Sequence, residues 1–272
     1  DQEIVDMSKK LDIDIAVDLM GYTYLNRFFI FEKRCAPIQI NFLGFPCTTA
    51  SKNIDYIISD KNIITKNDES NYSEKIIYLP NTFMVTDSER NISNKIISRD
   101  QYGLPNDSII LCSFSKFYKI TPKIFDIWTN ILKKYENTIL WLSFDNYEGS
   151  VNLTNLIKKK NIDKNRIIFA DKIQSNQDHL DRIKLADLCL DTFPYGSHSS
   201  CCDYIVAGLP IITIKGKSFA SSVCSSILKS MELNELIAKD FEDYEKKIEN
   251  LISDKDYLLN LKNKIITNKM KT

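Results

Sequence analysis

Glycine is scarce in this chain, with seven in 272 residues, and no G-x-G-x-x-G follows any apolar run. The tight turn and close backbone approach that such glycines provide are missing, which disfavours a nicotinamide or flavin dinucleotide enzyme. No apolar stretch nears the roughly 18 residues of a membrane helix. Neither sign of charge is in excess: 36 basic residues face 36 acidic ones, a balance that argues against a nucleic-acid protein relying on a broadly basic surface and leaves room for a local patch. Histidine is confined to His179 and His198. The seven cysteines (35, 47, 112, 189, 201, 202, 224) are odd in number and form no C-x-x-C pair. Several, such as Cys112 and Cys189, sit inside apolar runs, which reads as reduced, buried thiols in a cytoplasmic protein. Cys201 and Cys202 make a poor metal pair, because adjacent side chains diverge and only His198 is near.

Other catalytic patterns are also missing. There is no G-x-S-x-G elbow, and Ser197, Ser199 and Ser200 around His198 follow no hydrolase-triad order. Gly216-Lys217-Ser218 is half of a phosphate-cradling loop whose first glycine would fall on Ile211. Asp12-Ile-Asp14 has a D-x-D spacing, but without a further carboxylate cluster it reads as a strand edge.

What the chain does have is alternation. Short, β-branched, continuous apolar runs occur at 13–19, 38–43, 56–59, 76–79, 109–114, 138–144, 166–169, 187–190 and 211–214. Continuous rather than alternating runs mark strands buried on both faces. Helical patterns lie between them. Thr121-Pro122 caps one whose apolar face carries Ile124, Ile127, Trp128, Ile131 and Leu132. Others are expected over 153–160, from Ser199 to the Gly208-Leu-Pro210 stop, from Ser218 through Met231, and as two terminal helices over 240–268 that break near Ser253-Asp254. Strand alternating with helix predicts an α/β protein with parallel sheets. A polar stretch from Thr86 to Pro105, including Ser88, Asn91 and Asn94, reads as a linker. The expected domains are a partial N-terminal lobe over 1–95 and a complete lobe over 96–272. The chain opens on Asp1 without a basic-then-apolar leader, and reads as part of a longer protein.

The densest chemistry lies between Asp187 and Asp203. An apolar run ends at Asp191, passes through Phe193-Pro-Tyr-Gly196, and opens a helix with His198, Ser199 and Ser200. The start of a helix presents unpaired N–H groups and positive potential to an anion. Asp203, one turn on, is placed to accept from sugar hydroxyls. In an open parallel sheet ligands bind beyond the carboxyl ends of the strands. That rule gathers Lys116, Lys119, Lys172, His179, Arg182, His198, Lys215 and Lys217 along one edge. An ordinary capped helix following a buried strand is the alternative reading of the same stretch.

Several segments, in one order along nearly the whole chain, carry a family resemblance. They include Asp18-Leu-Met-Gly-Tyr-Thr23, Arg34-Cys-Ala-Pro-Ile-Gln39, Leu43-Gly-Phe-Pro-Cys-Thr48, Asp55-Tyr-Ile-Ile-Ser-Asp60, Tyr72-Ser-Glu-Lys75, 114–119, Trp128-Thr-Asn-Ile-Leu-Lys133, 179–182 and Asp203-Tyr-Ile-Val-Ala-Gly-Leu-Pro210. In these the chain resembles the catalytic region of the O-linked N-acetylglucosamine transferase and SPINDLY glycosyltransferases. The resemblance implies a GT-B fold of two Rossmann-like lobes, the first incomplete here. It also implies inverting, metal-independent transfer of a sugar from a nucleotide diphosphate to Ser or Thr hydroxyls of a protein acceptor. No cofactor is implied beyond the donor, with UDP-N-acetylglucosamine foremost. Upstream tetratricopeptide repeats are expected in the intact protein, with no nucleic-acid or membrane partner.

The same resemblance assigns roles. Lys119 contacts the diphosphate, His179 packs near the base with Arg182 in support, and Gln174 and Asn176 match the loop framing the base. His198, Ser199 and Ser200 take phosphate, and Asp203 takes the ribose. Tyr118 is the nearest candidate for a catalytic proton acceptor, with packing as its other reading. The pattern departs from the family at Lys116, a glutamine in relatives, which adds positive charge beside the diphosphate. It departs also at Ser199 and Ser200 in place of threonines, at Cys47 and Ala50 in a glycine-rich turn, and at Ser222 in place of an arginine. A SPINDLY-like GDP-fucose donor, a flagellin or surface-glycan acceptor, and a nucleotide-sugar-binding fragment without turnover are the alternatives.

Overall fold

The computed structural model describes residues 1–87, 90, 93 and 95–268. Ser88, Asn91 and Asn94 of the expected linker lie outside the described residues. The chain packs as two compact units: residues 1–85 with 218–222, and residues 86–217 with 223–272.

The first unit holds a four-stranded sheet in the order β1 (Ile15–Asp18), β2 (Ile38–Asn41), β3 (Tyr56–Asp60), β4 (Lys75–Leu79). Every pairing is parallel. Two helices accompany it, α1 (Gln2–Lys10) and the single turn α2 (Phe29–Glu32). Val5, Ile30 and Cys35 form a small core, with Ala16 and Phe31 packed on it. The loop after β1 is pinned by Asp18, whose Oδ1 accepts from the Met20 and Gly21 amides at 2.9 and 3.0 Å. Gly21 has φ +52°, and a Cβ there would stand 2.3 Å from that of Phe45. Both the left-handed backbone and the close approach of the next loop therefore require glycine.

The second unit holds six parallel strands: β5 (Ile109–Ser113), β6 (Thr138–Ser143), β7 (Ile167–Ala170), β8 (Leu188–Leu190), β9 (Ile211–Ile214) and β10 (Ile237–Ala238). Their spatial order is β10-β9-β8-β5-β6-β7. The chain winds outward from β5 through β6 to β7, then returns to β8 on the other side of β5. Between β5 and β8 the winding reverses, which is where an open α/β sheet opens a crevice at its carboxyl edge. The helices are α3 (Pro122–Lys134), α4 (Tyr147–Lys159), α5 (Asn176–Ile183), α6 (Ser199–Val206), α7 (Val223–Ser230), α8 (Phe241–Ser253) and α9 (Lys255–Asn268). The side chain of Thr121 caps α3, and Ile124, Trp128, Ile131 and Leu132 on that helix are fully buried.

The expected strands are present, with ends moved by no more than two residues in either direction, and the two-residue β10 joins them. Three expectations change. Helix α4 begins at Tyr147 rather than near Leu153, because Asn146 caps it by accepting from the Gly149 amide at 2.7 Å. Ser218 does not start a helix. Ser218 and Ser221 bond reciprocally to form a turn, and Phe219 packs edge-on against Phe83 at 4.9 Å in the first unit. The helix resumes only at Val223. The stretch read as a linker is in part built into the second unit: Arg99 donates to the Leu185 and Ser108 carbonyls and pairs with Asp187 at 2.8 Å. Six of the cysteines are buried, Cys47 is exposed, and all are free thiols. No helix among the described residues is long and apolar enough to cross a membrane.

Candidate nucleotide-sugar site

The candidate site residues lie in the second unit, in segments that leave the carboxyl ends of β5, β7 and β8. The loop after β8 is built around Asp191, which is 1% exposed. Its Oδ1 accepts from the amides of Thr192 (2.9 Å) and Ser197 (2.8 Å), and its Oδ2 from the Thr213 hydroxyl (2.7 Å). Burial pushes its carboxyl above the usual carboxylate range, against the pull of these donors. Gly196 passes so close that a Cβ would stand 2.9 Å from Asp191 Oδ2. The loop is braced further by Thr192 Oγ1 donating to the Tyr195 carbonyl (2.8 Å) and Thr121 Oγ1 donating to that of Phe193 (3.2 Å). Beneath it, the buried Tyr244 of α8 donates its hydroxyl to the Asp191 carbonyl at 2.9 Å and accepts from Trp128 Nε1 at 3.2 Å.

This loop delivers His198 as the N-cap of α6, with Ser199 and Ser200 as the first two helical residues. It also meets Lys119, which arrives on the tight turn Phe117–Lys119 after β5. Lys119 Nζ stands 3.8 Å from the Tyr195 ring centroid and 3.4 Å from the Gly196 carbonyl. The Tyr195 ring meets His198 edge-on at 5.1 Å. Burial lowers the Lys119 ammonium below the ordinary lysine value, and the Asp191 carboxylate opposes that shift. One ammonium, one imidazole and the start of a helix are thereby brought together.

A second group sits against Phe114, which directly follows β5. Its ring contacts Trp141 (5.0 Å), His179 (5.6 Å) and Tyr204 of α6 (6.4 Å). Arg182, 4% exposed, lays its guanidinium over the same ring at 4.8 Å and donates Nε–H to His179 Nδ1 at 3.0 Å. Tyr204 accepts from the Phe114 amide at 3.1 Å, which ties α6 to the end of β5. Because Nδ1 accepts, the imidazole proton is assigned to Nε2. Burial, with the Arg182 charge, pushes the His179 pKa down to about 4 from 6.5. His179 is therefore neutral at pH 7: an aromatic surface with one N–H donor.

That shift has a sign for stability. Between about pH 4 and 6.5 the unfolded chain binds the His179 proton and the folded chain does not, so stability falls as pH drops through that window. Urea midpoints measured from pH 7 to pH 4 should decline in the wild type. They should decline less steeply in His179→Gln, whereas equal slopes would show that the imidazole is not held neutral.

The remaining candidates are placed differently. Asp203 forms an ion pair with Arg90, and burial raises its carboxyl pKa while Arg90 lowers it. Lys116 is already paired: its Nζ meets Asp145 at 2.5 Å, in the segment after β6, and Asp145 also accepts from the Phe117 amide at 3.2 Å. The added charge expected beside a diphosphate is thus partnered elsewhere. Tyr118 is 74% exposed. Gln174 is an exposed loop residue and Asn176 opens α5, whose cap is Ser175. Sequence reasoning gave no role to Asp191, Tyr195, Phe114 or Arg90. Asp191 had one available signal, a lone carboxylate ending a continuous apolar strand; Arg90 had none.

Comparison with known proteins identifies the lineage. The model of glycosyl transferase family 41 matches residues 2–96 and 88–272. The chain is 33% identical over 252 residues to the probable UDP-N-acetylglucosamine–peptide N-acetylglucosaminyltransferase SEC of Arabidopsis thaliana, covering 90% of this chain and 26% of that protein. It is 31% identical over 265 residues to the correspondingly named SPINDLY protein of Eustoma exaltatum subsp. russellianum, covering 96% of this chain and 28% of that one. The chain thus spans little more than a quarter of either relative. A mutant O-GlcNAc transferase of Thermobaculum terrenum shares the fold with a TM-score of 0.88 at 22% identity, over 99% of this chain and 51% of that one. The two parallel-sheet units are those of GT-B glycosyltransferases, and the chain belongs to glycosyl transferase family 41.

Proposed function

We propose that this chain is the nucleotide-sugar-binding part of a protein O-glycosyltransferase, and that it passes N-acetylglucosamine from UDP-N-acetylglucosamine to Ser or Thr hydroxyls. The observation that carries the reading is the half-buried Lys119 ammonium seated on the Tyr195 ring and the Gly196 carbonyl, in the loop that leads into the His198–Ser200 helix start. The names of the curated relatives supply the sugar and the peptide acceptor.

The chemistry follows from where charge develops. An acceptor hydroxyl attacks the anomeric carbon from the face opposite the diphosphate; the bond from that carbon to the phosphate oxygen breaks, its electron pair leaves with the diphosphate, and the hydroxyl's proton is given up to a base or to solvent. One such displacement inverts the configuration. The departing diphosphate gains negative charge, which Lys119 and the first-turn N–H groups of α6 are placed to stabilise. In this reading they supply the positive charge that a divalent ion provides elsewhere, so transfer should persist in EDTA. His179, neutral and aromatic, offers a surface for the base, with Arg182 holding its ring. Asp203 accepts from the ribose hydroxyls, and Arg90 shares or yields that carboxylate when nucleotide binds.

Titration calorimetry of the chain with UDP and GDP tests the donor. UDP should bind more tightly; a preference for GDP would move the reading to a fucose donor. Asp203→Ala should weaken UDP binding by about 1–3 kcal/mol, the scale of a charged hydrogen bond, and unchanged affinity would remove Asp203 from the site. Transfer to a Ser/Thr peptide by the intact protein tests turnover, and tight UDP binding with no transfer would leave a binding module.

A further inference from the structure

The Lys119 ammonium does not stand alone. Its nearest surroundings are the face of the Tyr195 ring at 3.8 Å and the carbonyl of the next residue, Gly196, at 3.4 Å. That ring also abuts His198. It is mounted on backbone with little freedom: the Tyr195 carbonyl accepts from Thr192, and the Ser197 amide is held by the buried Asp191. A lysine stem samples many rotamers when unsupported. An ammonium that has lost part of its water gains from an aromatic face, and a charge already aimed need not reorganise when the leaving group develops its own. We propose that Tyr195 is a positioning residue that holds the Lys119 ammonium against the helix start where the diphosphate binds. The half-buried state of Lys119 agrees with this, because the ring replaces water on one side of Nζ. The proposal rests on the reading of Lys119 given above.

The test is a double-mutant cycle on UDP affinity, with kcat and KM of the intact protein beside it. Tyr195→Leu keeps an apolar side chain without the π face, and Tyr195→Phe keeps the face without the hydroxyl. Tyr195→Leu should weaken UDP binding and lower kcat by roughly tenfold, with a urea midpoint near wild type. Tyr195→Phe should restore both. In a Lys119→Ala background Tyr195→Leu should cost UDP affinity nothing further, because the ammonium it positions is gone. An equal loss in both backgrounds, or no loss in the wild-type background, overturns the proposal. If Lys119→Ala binds UDP and turns over like wild type, the catalytic reading of Lys119 falls and takes this inference with it. A silent Tyr195→Leu beside an impaired Lys119→Ala overturns this inference alone.

Discussion

Lys119→Ala is expected to slow sugar transfer by about 100- to 1000-fold, the cost of removing one preorganised charge partner from a developing anion. The fold should barely notice. Lys119 lies on a short turn beyond the carboxyl end of β5, where its ammonium meets the Tyr195 ring and the Gly196 carbonyl. The loss should fall mainly on kcat, because the diphosphate carries more charge in the transition state than in the bound donor. Lys119→Arg should recover only part of the rate, since the planar fork is longer and cannot take the same seat on the ring. The measurement is steady-state transfer by the intact protein, with a thermal midpoint to confirm folding. Wild-type kcat in the alanine variant would end the charge-stabilisation reading.

Asp191→Ala should do most damage to stability, about 3–5 kcal/mol, because it strips the partner from two amides and a hydroxyl that are all buried. None of these donors can turn to water without opening the loop. UDP affinity should fall with it, since the Ser197 amide that Asp191 holds directly precedes His198. Asp191→Asn keeps one oxygen for the amides, and its NH2 can face the rotatable Thr213 hydroxyl, so its loss should be far smaller. Denaturant midpoints of the three proteins decide the matter. An alanine variant that unfolds with the wild type would show that the loop holds itself.

The strands were legible in the sequence for a physical reason. A parallel strand covered on both faces needs an unbroken apolar run, and Ile109–Ser113, Thr138–Ser143 and Ile211–Ile214 are such runs. Strand β10 was not legible, because its two residues pair only with the end of β9 and have no pattern of their own. The helix expected from Ser218 failed where tertiary packing outweighed local periodicity: Phe219 fits the helical spacing but is taken by Phe83. The same contrast runs through the site. His198, Ser199 and Ser200 stand out because a Pro-Gly loop and a hydroxyl-rich helix start lie in one short stretch. The pairing of Lys116 could not be read, because its partner, Asp145, comes from the segment after β6, and no local signal reports such a contact. Tyr195 reads as a loop aromatic until the fold brings Lys119 onto its face.

The hydrogen bonds from Trp128 through Tyr244 to the Asp191 carbonyl mean that α8 works as a buttress for the loop after β8. A chain ending ahead of Phe241 would forfeit more than a surface helix. The indole of Trp128 would lose its acceptor, and the floor under residues 191–198 would go with it. Damage to α8 should then register in the loop it touches, and, if the proposed donor site is right, as weaker UDP binding.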